Sequence, residues 1–361
     1  MAECENLQKD TFMYIMQVLS HAPHPHDHYL KMRSLLSFLL IAITASCLIG
    51  CSPQTGQKHF FWKVSDSNSA VYILGSIHLA DSSFYPLNPV ITNAFDSSDE
   101  LAVEIDMGDD SILQKITSMN EQYGMFHGED SLERILPGDI RKSLDSICTA
   151  WNIPIGTFNR YKPWAAAMTL TSIGIMRLGY DYNLGIDFHF LHLAQEHGKN
   201  IVSLEPVENQ VMALTGEGLK DSVTMYFMKK TLREIGLIDS SVFWMMQAWK
   251  TGDDSLFWNA MNADTAKLSA NDSLIQKEID NRILHSRNRT MAESITKLLT
   301  ENRKAFVVIG TAHLVGKMKT SSTFSAAKVS PSNDYNPPNV SRETSDGECR
   351  DKMLAFWHDR A

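Results

Sequence analysis

The sequence lacks a cysteine framework and the common nucleotide-binding motifs. Its five cysteines among 361 residues form no Cys-x-x-Cys pair and no dense disulfide scaffold. It contains no Walker loop, no Gly-x-Gly-x-x-Gly fingerprint and no zinc-finger spacing. The formal net charge is −9, whereas a nucleic-acid-binding protein normally presents a basic face. These absences exclude the usual nucleotide-binding and nucleic-acid-binding classes, and we expect no nucleic-acid partner.

A long apolar run lies near the N-terminus, at residues 35–49. A signal peptide typically has a basic start, here Arg33, then a short apolar stretch and small residues before the cleavage site. The apolar run is too short for a transmembrane span. The ending Leu48–Cys51 resembles a bacterial lipobox, which implies cleavage before Cys51 and acylation of its thiol. The alternative is an anchoring helix that is never cut. Both interpretations predict an exported chain on a bacterial membrane, facing the periplasm or the cell surface.

The chain then divides into five segments. Met32 is the predicted translation start, and the stretch after residue 316 is polar, aperiodic and rich in Ser, Pro and Asn, which favours disorder. We therefore assign residues 1–31 to a mis-assigned extension, 32–50 to a lipoprotein signal peptide, 51–59 to a lipidated tether, 60–316 to one folded domain and 317–361 to an atypical disordered tail.

Within the folded domain, four short apolar runs predict strands that are buried on both faces. Each run carries, or is followed by, a side chain that can bind a metal or move a proton: Ala70–Leu74 with His78, Leu101–Met107 with Glu104, Ile201–Glu205 with Glu205, and Ala305–Ile309 with His313. Helical stretches separate the runs, so the predicted fold class is α/β to α+β, a mixed central β-sheet covered by helices. If the four strands share one edge, these four side chains converge there.

Two of the runs end in the same pattern, glycine followed three residues later by histidine. Gly75 precedes His78, and Gly310 precedes His313. Glycine allows a sharp turn after a strand, and imidazole is a frequent ligand of zinc, manganese and related ions. Two histidines and the Glu104 carboxylate predict a metal site that keeps a position for water or substrate. The alternative is a pair of core histidines whose hydrogen bonds are satisfied within the fold.

Beyond these motifs, the chain between about Phe60 and Gly316 resembles the TraB/PrgY/GumN family, whose relatives include the Tiki metalloproteases. The segments that carry the resemblance are GSIH at 75–78, FYPL at 84–87, VEID at 103–106, KPW at 162–164, GYDYNLGIDFHF at 179–190, LEPVENQ at 204–210, AWKTGD at 248–253, RNRTM at 287–291 and GTAHLVG at 310–316. The resemblance implies a TraB/Tiki-like fold of the erythromycin-esterase and ChaN type.

The resemblance also implies a set of site residues. His78, Glu104 and His313 become the metal ligands, and the divalent metal would be manganese, cobalt or zinc. Glu205 becomes a further ligand or base, and Arg287 an oxyanion stabiliser, because guanidinium offers fixed donors.

Three further residues are predicted to support the site. Asn288 would orient Arg287. Asp187 and His189 are interpreted as a pair that hydrogen-bonds to a metal ligand and orients it. The alternative is that Asp187 is the N-cap of a helix.

These residues lead us to predict a membrane-tethered, metal-dependent peptidase. Its metal-bound water would attack the carbonyl of a peptide or protein substrate, with Glu104 or Glu205 taking the proton. Two other functions remain open at this point: a protein that sequesters a peptide or pheromone without cutting it, and an accessory factor in surface polysaccharide production.

Overall fold

The structure is a computed structural model that describes residues 59–65, 69–154, 156–215, 221–262, 268–315 and 327–328. The predicted signal peptide, the lipidation site Cys51 and most of the predicted tail lie outside these residues. In the described part of the chain, we find no helix that combines the length and the apolar character needed to cross a bilayer.

A single mixed β-sheet organises the domain, with the strand order β4-β3-β5-β2-β1-β6. Strands β4, β3, β5 and β2 run parallel to one another, whereas β1 runs antiparallel to both of its neighbours, β2 and the two-residue β6. This arrangement confirms the predicted fold class, and it places the carboxyl ends of the four predicted strands along one edge. The strands β1 to β6 are Phe61–Ser65, Ala70–Ser76, Glu100–Val103, Asn200–Ser203, Ala305–Gly310 and Ala327–Lys328.

Helices fill the connections between the strands and cover the sheet. The last helical region of the domain, between Ala270 and Thr300, contains a π-helical turn at Asn281–His285. The helices α1 to α12 are Pro89–Asp96, Asp110–Gly124, Leu132–Ile135, Gly138–Trp151, Pro163–Arg177, Ile186–Glu196, Val207–Thr215, Asp221–Glu234, Ile238–Thr251, Asp254–Met261, Ala270–Asp280 and Ser286–Thr300.

The core forms directly against the central strand β5, in which all six residues are buried. Phe306 of β5 packs against Phe190 of α6 and Phe95 of α1, with ring centroids 4.7 Å and 5.5 Å away. Strand β5 is a continuous apolar run because helices cover the sheet on both faces. Helix α5 begins with Pro163 in its first turn, and the neighbouring Trp164 is buried.

The sheet register brings the two Gly-x-x-His motifs together. Gly75 of β2 pairs with Ile309 of β5, and Ser76 pairs with Gly310. Strand β3 ends at Val103, opposite Val308 of β5. The histidines and Glu104 therefore follow three adjacent parallel strands at one edge.

Candidate functional site

Three predicted metal ligands surround one glycine at this edge. A Cβ atom added to Gly310 would lie 3.1 Å from Glu104 Oε1, 3.6 Å from His313 Cδ2 and 3.6 Å from His78 Nε2. We call the space beside the Gly310 Cα, between these three side chains, the Gly310 cradle. Glycine keeps this space open because it has no side chain of its own.

Glu104 is fixed by donors on both carboxylate oxygens. Its Oε1 accepts a hydrogen bond of 2.6 Å from the Gly310 amide, and its Oε2 accepts one of 2.7 Å from Arg287 Nη2. Burial alone raises the pKa of Glu104, but the nearby His313, Arg287 and His78 and the Gly310 amide together lower it to about 2. Glu104 is therefore a buried carboxylate whose charge and orientation are set before any ligand arrives.

Arg287 joins Glu104 to Glu205. The Glu205 Oε1 atom lies 2.8 Å from Arg287 Nε and 2.6 Å from Nη2. A third hydrogen bond of 3.3 Å runs from Arg287 Nη1 to the carbonyl of Ile283 in the π-helical turn. All three charged side chains are at most 8% exposed. Arg287 thus holds two carboxylates in place, a positioning contact that was not part of its predicted role as an oxyanion stabiliser.

Glu205 keeps one free oxygen. Within the described residues, its buried Oε2 atom has no hydrogen-bond partner. Burial raises the pKa of this carboxyl, although the contact with Arg287 opposes the shift. An unpartnered carboxylate oxygen in a buried position can take up a proton or a ligand, which fits the predicted choice between base and ligand.

His313 is buried and oriented by Asn288. Its Nδ1 lies 2.6 Å from Asn288 Oδ1, while the Asn288 amide donates to the His313 carbonyl at 3.5 Å. This pairing leaves His313 Nε2 facing Glu104 Oε1 at 3.8 Å. Burial lowers the pKa of His313 to about 4, so the imidazole is neutral at neutral pH and Nε2 offers a lone pair. Asn288 thus orients the histidine rather than contacting Arg287 in the way the sequence suggested.

His78 is oriented by a carboxylate from the neighbouring helix α6. Its Nδ1 lies 2.8 Å from Asp187 Oδ2, and Asp187 Oδ1 accepts a second bond from the Ser76 hydroxyl at 2.7 Å. The His78 side chain is 56% exposed, and the negative charge of Asp187 raises the pKa of His78 to about 9. Asp187 lies in the first turn of α6, and Gly185 is the N-cap. Of the two predicted roles for Asp187, the geometry therefore favours the contact with a candidate ligand.

His189 does not take part in this contact. Its ring lies against Tyr85, with centroids 4.8 Å apart. Residues two apart on a helix lie on different faces, so Asp187 and His189 cannot both point toward His78. The sequence spacing suggested a pair, and the structure brings only Asp187 to the site.

Sequence reasoning overlooked the contacts that hold the two motif loops. Trp249 of α9 donates from Nε1 to the Gly75 carbonyl at 2.8 Å, and the Thr311 hydroxyl donates to the Ser76 carbonyl at 2.9 Å. Trp249 is also buried in the core. In the sequence, Trp249 stands out only as part of the AWKTGD segment, and nothing in that segment indicates a hydrogen bond to Gly75.

A model of the TraB/PrgY/gumN family matches residues 60–329. The chain belongs to the TraB/PrgY/gumN family. This assignment confirms the resemblance seen in the sequence. The match continues past Gly316, where we had placed the end of the domain, and it includes the short strand β6 that pairs with β1.

Two relatives of this TraB/PrgY/gumN member are uncharacterized proteins. It is 24% identical over 161 residues to the uncharacterized protein YbaP of Escherichia coli. The aligned region covers 44% of this chain and 58% of YbaP. It is 20% identical over 169 residues to an uncharacterized protein of Treponema pallidum, covering 47% of this chain and 50% of the relative. No solved structure matches. The chain thus aligns with little more than half the length of these relatives.

The donor set of the cradle fits a divalent ion, with one cation nearby. His78 Nε2, His313 Nε2 and Glu104 Oε1 supply the nitrogen and oxygen ligands that zinc, manganese and cobalt accept, and Glu205 Oε2 is the unpartnered buried oxygen. In the described part of the chain, no three His, Cys, Asp or Glu side chains are arranged to hold an ion as they stand. A metal on Glu104 Oε1 would displace the Gly310 amide from that oxygen, and it would lie near the Arg287 cation, which holds Oε2.

Replacing Gly310 by alanine tests the cradle directly. The added methyl group would lie 3.1 Å from Glu104 Oε1, so it occupies the space between the three side chains. The φ angle of Gly310 is −52°, which alanine adopts without strain. We expect the free energy of unfolding to fall by about 1–3 kcal/mol, the usual cost of overfilling a packed site, while manganese, cobalt or zinc binding is lost. Unchanged metal affinity in a folded G310A protein would contradict the cradle.

Proposed function

We propose that the domain is a metal-dependent hydrolase that cleaves peptide bonds at the Gly310 cradle. The observation that supports it is the convergence of two histidines and an ionised carboxylate on one open space, each oriented by its own partner. A bound divalent cation supplies Lewis acidity that polarises a substrate carbonyl. Export and membrane tethering through Cys51 belong to the same proposal and rest on the lipobox.

The residues at the cradle have two different roles, binding the ion and orienting the residues that bind it. His78, Glu104 and His313 would hold the ion, and Asp187 and Asn288 fix the orientation of the two imidazoles through their Nδ1 atoms. Such outer partners typically contribute 10-fold to 100-fold in metal affinity.

Glu205 would act as the general base that accepts the proton. Burial raises the pKa of its carboxyl, which brings a carboxylate closer to the range useful for a general base. Arg287 holds Glu205 and Glu104 side by side and offsets their mutual repulsion.

The decisive experiment is peptide turnover with and without metal. A soluble chain that begins after Cys51 is stripped with a chelator, restored with manganese, cobalt or zinc, and incubated with a mixed peptide library read by mass spectrometry. The proposal expects cleavage that appears only with metal and is absent from the Glu205→Gln variant. Peptide binding without cleavage in the metal-loaded protein would replace the hydrolase with a sequestering protein.

Metal affinity should also depend on pH through His78. Because Asp187 raises the pKa of His78 to about 9, an ion must displace a proton from His78 at neutral pH. Affinity should therefore rise about tenfold per pH unit between about pH 6.5 and 9 and level off above, since one proton leaves on binding. Competition with a chromophoric chelator at several pH values measures this slope.

The matched variant for this prediction is Asp187→Asn. Removing the carboxylate removes the main cause of the raised pKa of His78, so its pKa falls toward the ordinary value of 6.5. The slope should then vanish above about pH 7. An equal slope in both proteins would show that the His78 proton is not the one displaced.

A further inference from the structure

The described chain enters the domain at the same sheet edge as the candidate site. Strand β1 is antiparallel to β2 and pairs Phe61 with Leu74, so the start of β1 lies beside the end of β2. The Gly75 amide donates to the Phe60 carbonyl at 2.7 Å. Because Gly75 opens the first Gly-x-x-His motif, Phe60 lies next to the loop that carries His78.

This entry point is firmly held. Phe60, Phe61 and Trp62 are between 1% and 2% exposed, and the Phe60 ring packs edge-on against Phe257 with centroids 5.4 Å apart. Three buried aromatic side chains in succession anchor the backbone strongly. Whatever precedes Phe60 therefore leaves the domain from a fixed position at the site edge.

The distance from this point to Cys51 is short. His59 follows Cys51 by eight positions, and even a fully extended chain of that length spans only about 28 Å. A lipid on Cys51 would hold the entry point within that distance of the bilayer. An uncut anchoring helix that ends near Ile49 would impose nearly the same limit.

From this geometry we propose that the site edge of the sheet faces the membrane, and that the site acts on polypeptide segments held close to the bilayer surface. The proposal requires attachment near Cys51 and goes beyond the proposed hydrolase activity. A substrate attached to the same membrane gains effective concentration over a free peptide in solution. The substrate class is therefore the membrane-proximal segments of anchored or surface-lying polypeptides.

An exposed aromatic pair supports this orientation. Phe243 and Trp244 of α9 are 49% and 50% exposed, with ring centroids 5.1 Å apart. The same helix reaches the site edge through Trp249, which contacts the Gly75 carbonyl. Trp244 precedes Trp249 by five residues, about 7.5 Å along the helix axis. Large aromatic side chains partition to the headgroup region of a bilayer.

Energy transfer to the lipid surface tests the orientation without any catalysis. Two proteins that each carry one exposed labelling cysteine are made in a Cys349→Ser background, in which the buried Cys148 is kept. The labelling positions are Ser82→Cys, on the exposed turn after the His78 loop, and Lys304→Cys, just before β5 at the opposite edge. The full chain is matured in a bacterial membrane, labelled with a donor dye and reconstituted into phosphatidylethanolamine and phosphatidylglycerol vesicles that carry a headgroup acceptor. The soluble chain that begins after Cys51 is the control and should show little transfer at either position.

The expected result is transfer at least about twofold more efficient from residue 82 than from residue 304, because the strands between the two edges span about 17–20 Å. Equal transfer from both positions, or stronger transfer from residue 304, would overturn the proposal. So would a full chain that does not remain with the vesicles. Because the readout needs no substrate, a failed orientation and a failed hydrolase are distinguished.

Discussion

Alanine in place of His78 or His313 should abolish stoichiometric metal binding. The two imidazoles come from loops at opposite ends of the domain sequence and meet at the Gly310 cradle, so either variant removes one nitrogen ligand of the same ion. Loss of an outer partner alone typically costs 10-fold to 100-fold in affinity, and loss of a direct ligand should cost more than about 100-fold. Calorimetric titration with manganese, cobalt and zinc, together with elemental analysis, measures the effect.

His189→Ala is the matched control for this pair. His189 lies on α6 near Asp187 but contacts Tyr85 instead of the cradle, so its loss should leave metal affinity unchanged. A wild-type protein that binds none of the three metals while folded would remove the proposed mechanism. Metal retained in one of the two variants would mean that the motifs do not share an ion.

Replacing Arg287 by methionine should strongly destabilise the fold. Arg287 lies between Glu104 and Glu205, with each of the three side chains at most 8% exposed. Removing the cation leaves two buried carboxylates without compensation, which typically costs about 3–5 kcal/mol. For a domain of this size, that loss lowers the unfolding temperature by about 6–20 °C. Thermal and urea unfolding, followed by circular dichroism in the presence of a chelator, gives the value.

Two variants keep this result interpretable. Arg289→Met removes an exposed arginine two positions along the same helix, and should change stability by less than about 0.5 kcal/mol. The triple variant E104Q/E205Q/R287M removes all three charges and should recover much of the loss, because neutral replacements need no buried counter-ion. If R287M were no less stable than Arg289→Met, the three charges would not be coupled.

The parallel strands could be predicted because their signals are local. Ala70–Leu74 and Ala305–Ile309 are continuous apolar runs that end at glycine, a pattern that requires no knowledge of neighbouring strands. Strand β1 escaped prediction because Lys63 and Ser65 interrupt its apolar run. Its position is set by pairing with β2, which is a contact made in three dimensions.

The side chains at the cradle could be predicted from the sequence, but of their supporting partners the prediction placed only Asp187 beside the right side chain. The spacing of glycine and histidine indicated that His78 and His313 are site residues, because the glycine of each motif allows the turn after its strand. No spacing could show that Asn288 orients His313, or that Arg287 bridges two glutamates 101 residues apart, from position 104 to position 205. Such contacts depend on how α12 packs across the ends of β3 and β4, and side-chain partners at that range are decided by tertiary structure.

The hydrogen bond between the Thr311 hydroxyl and the Ser76 carbonyl joins residues 235 positions apart. It lies at the junction of β2 and β5, which are neighbours in the sheet although nearly the whole domain separates them along the chain. Closing so long a loop is slow compared with forming local helices, so this edge is completed only when the last parallel strand has arrived. In a chain that is still being synthesised or is unfolded, the two histidine loops are apart and the Gly310 cradle does not exist. Any activity of the site therefore requires β2 and β5 to be paired.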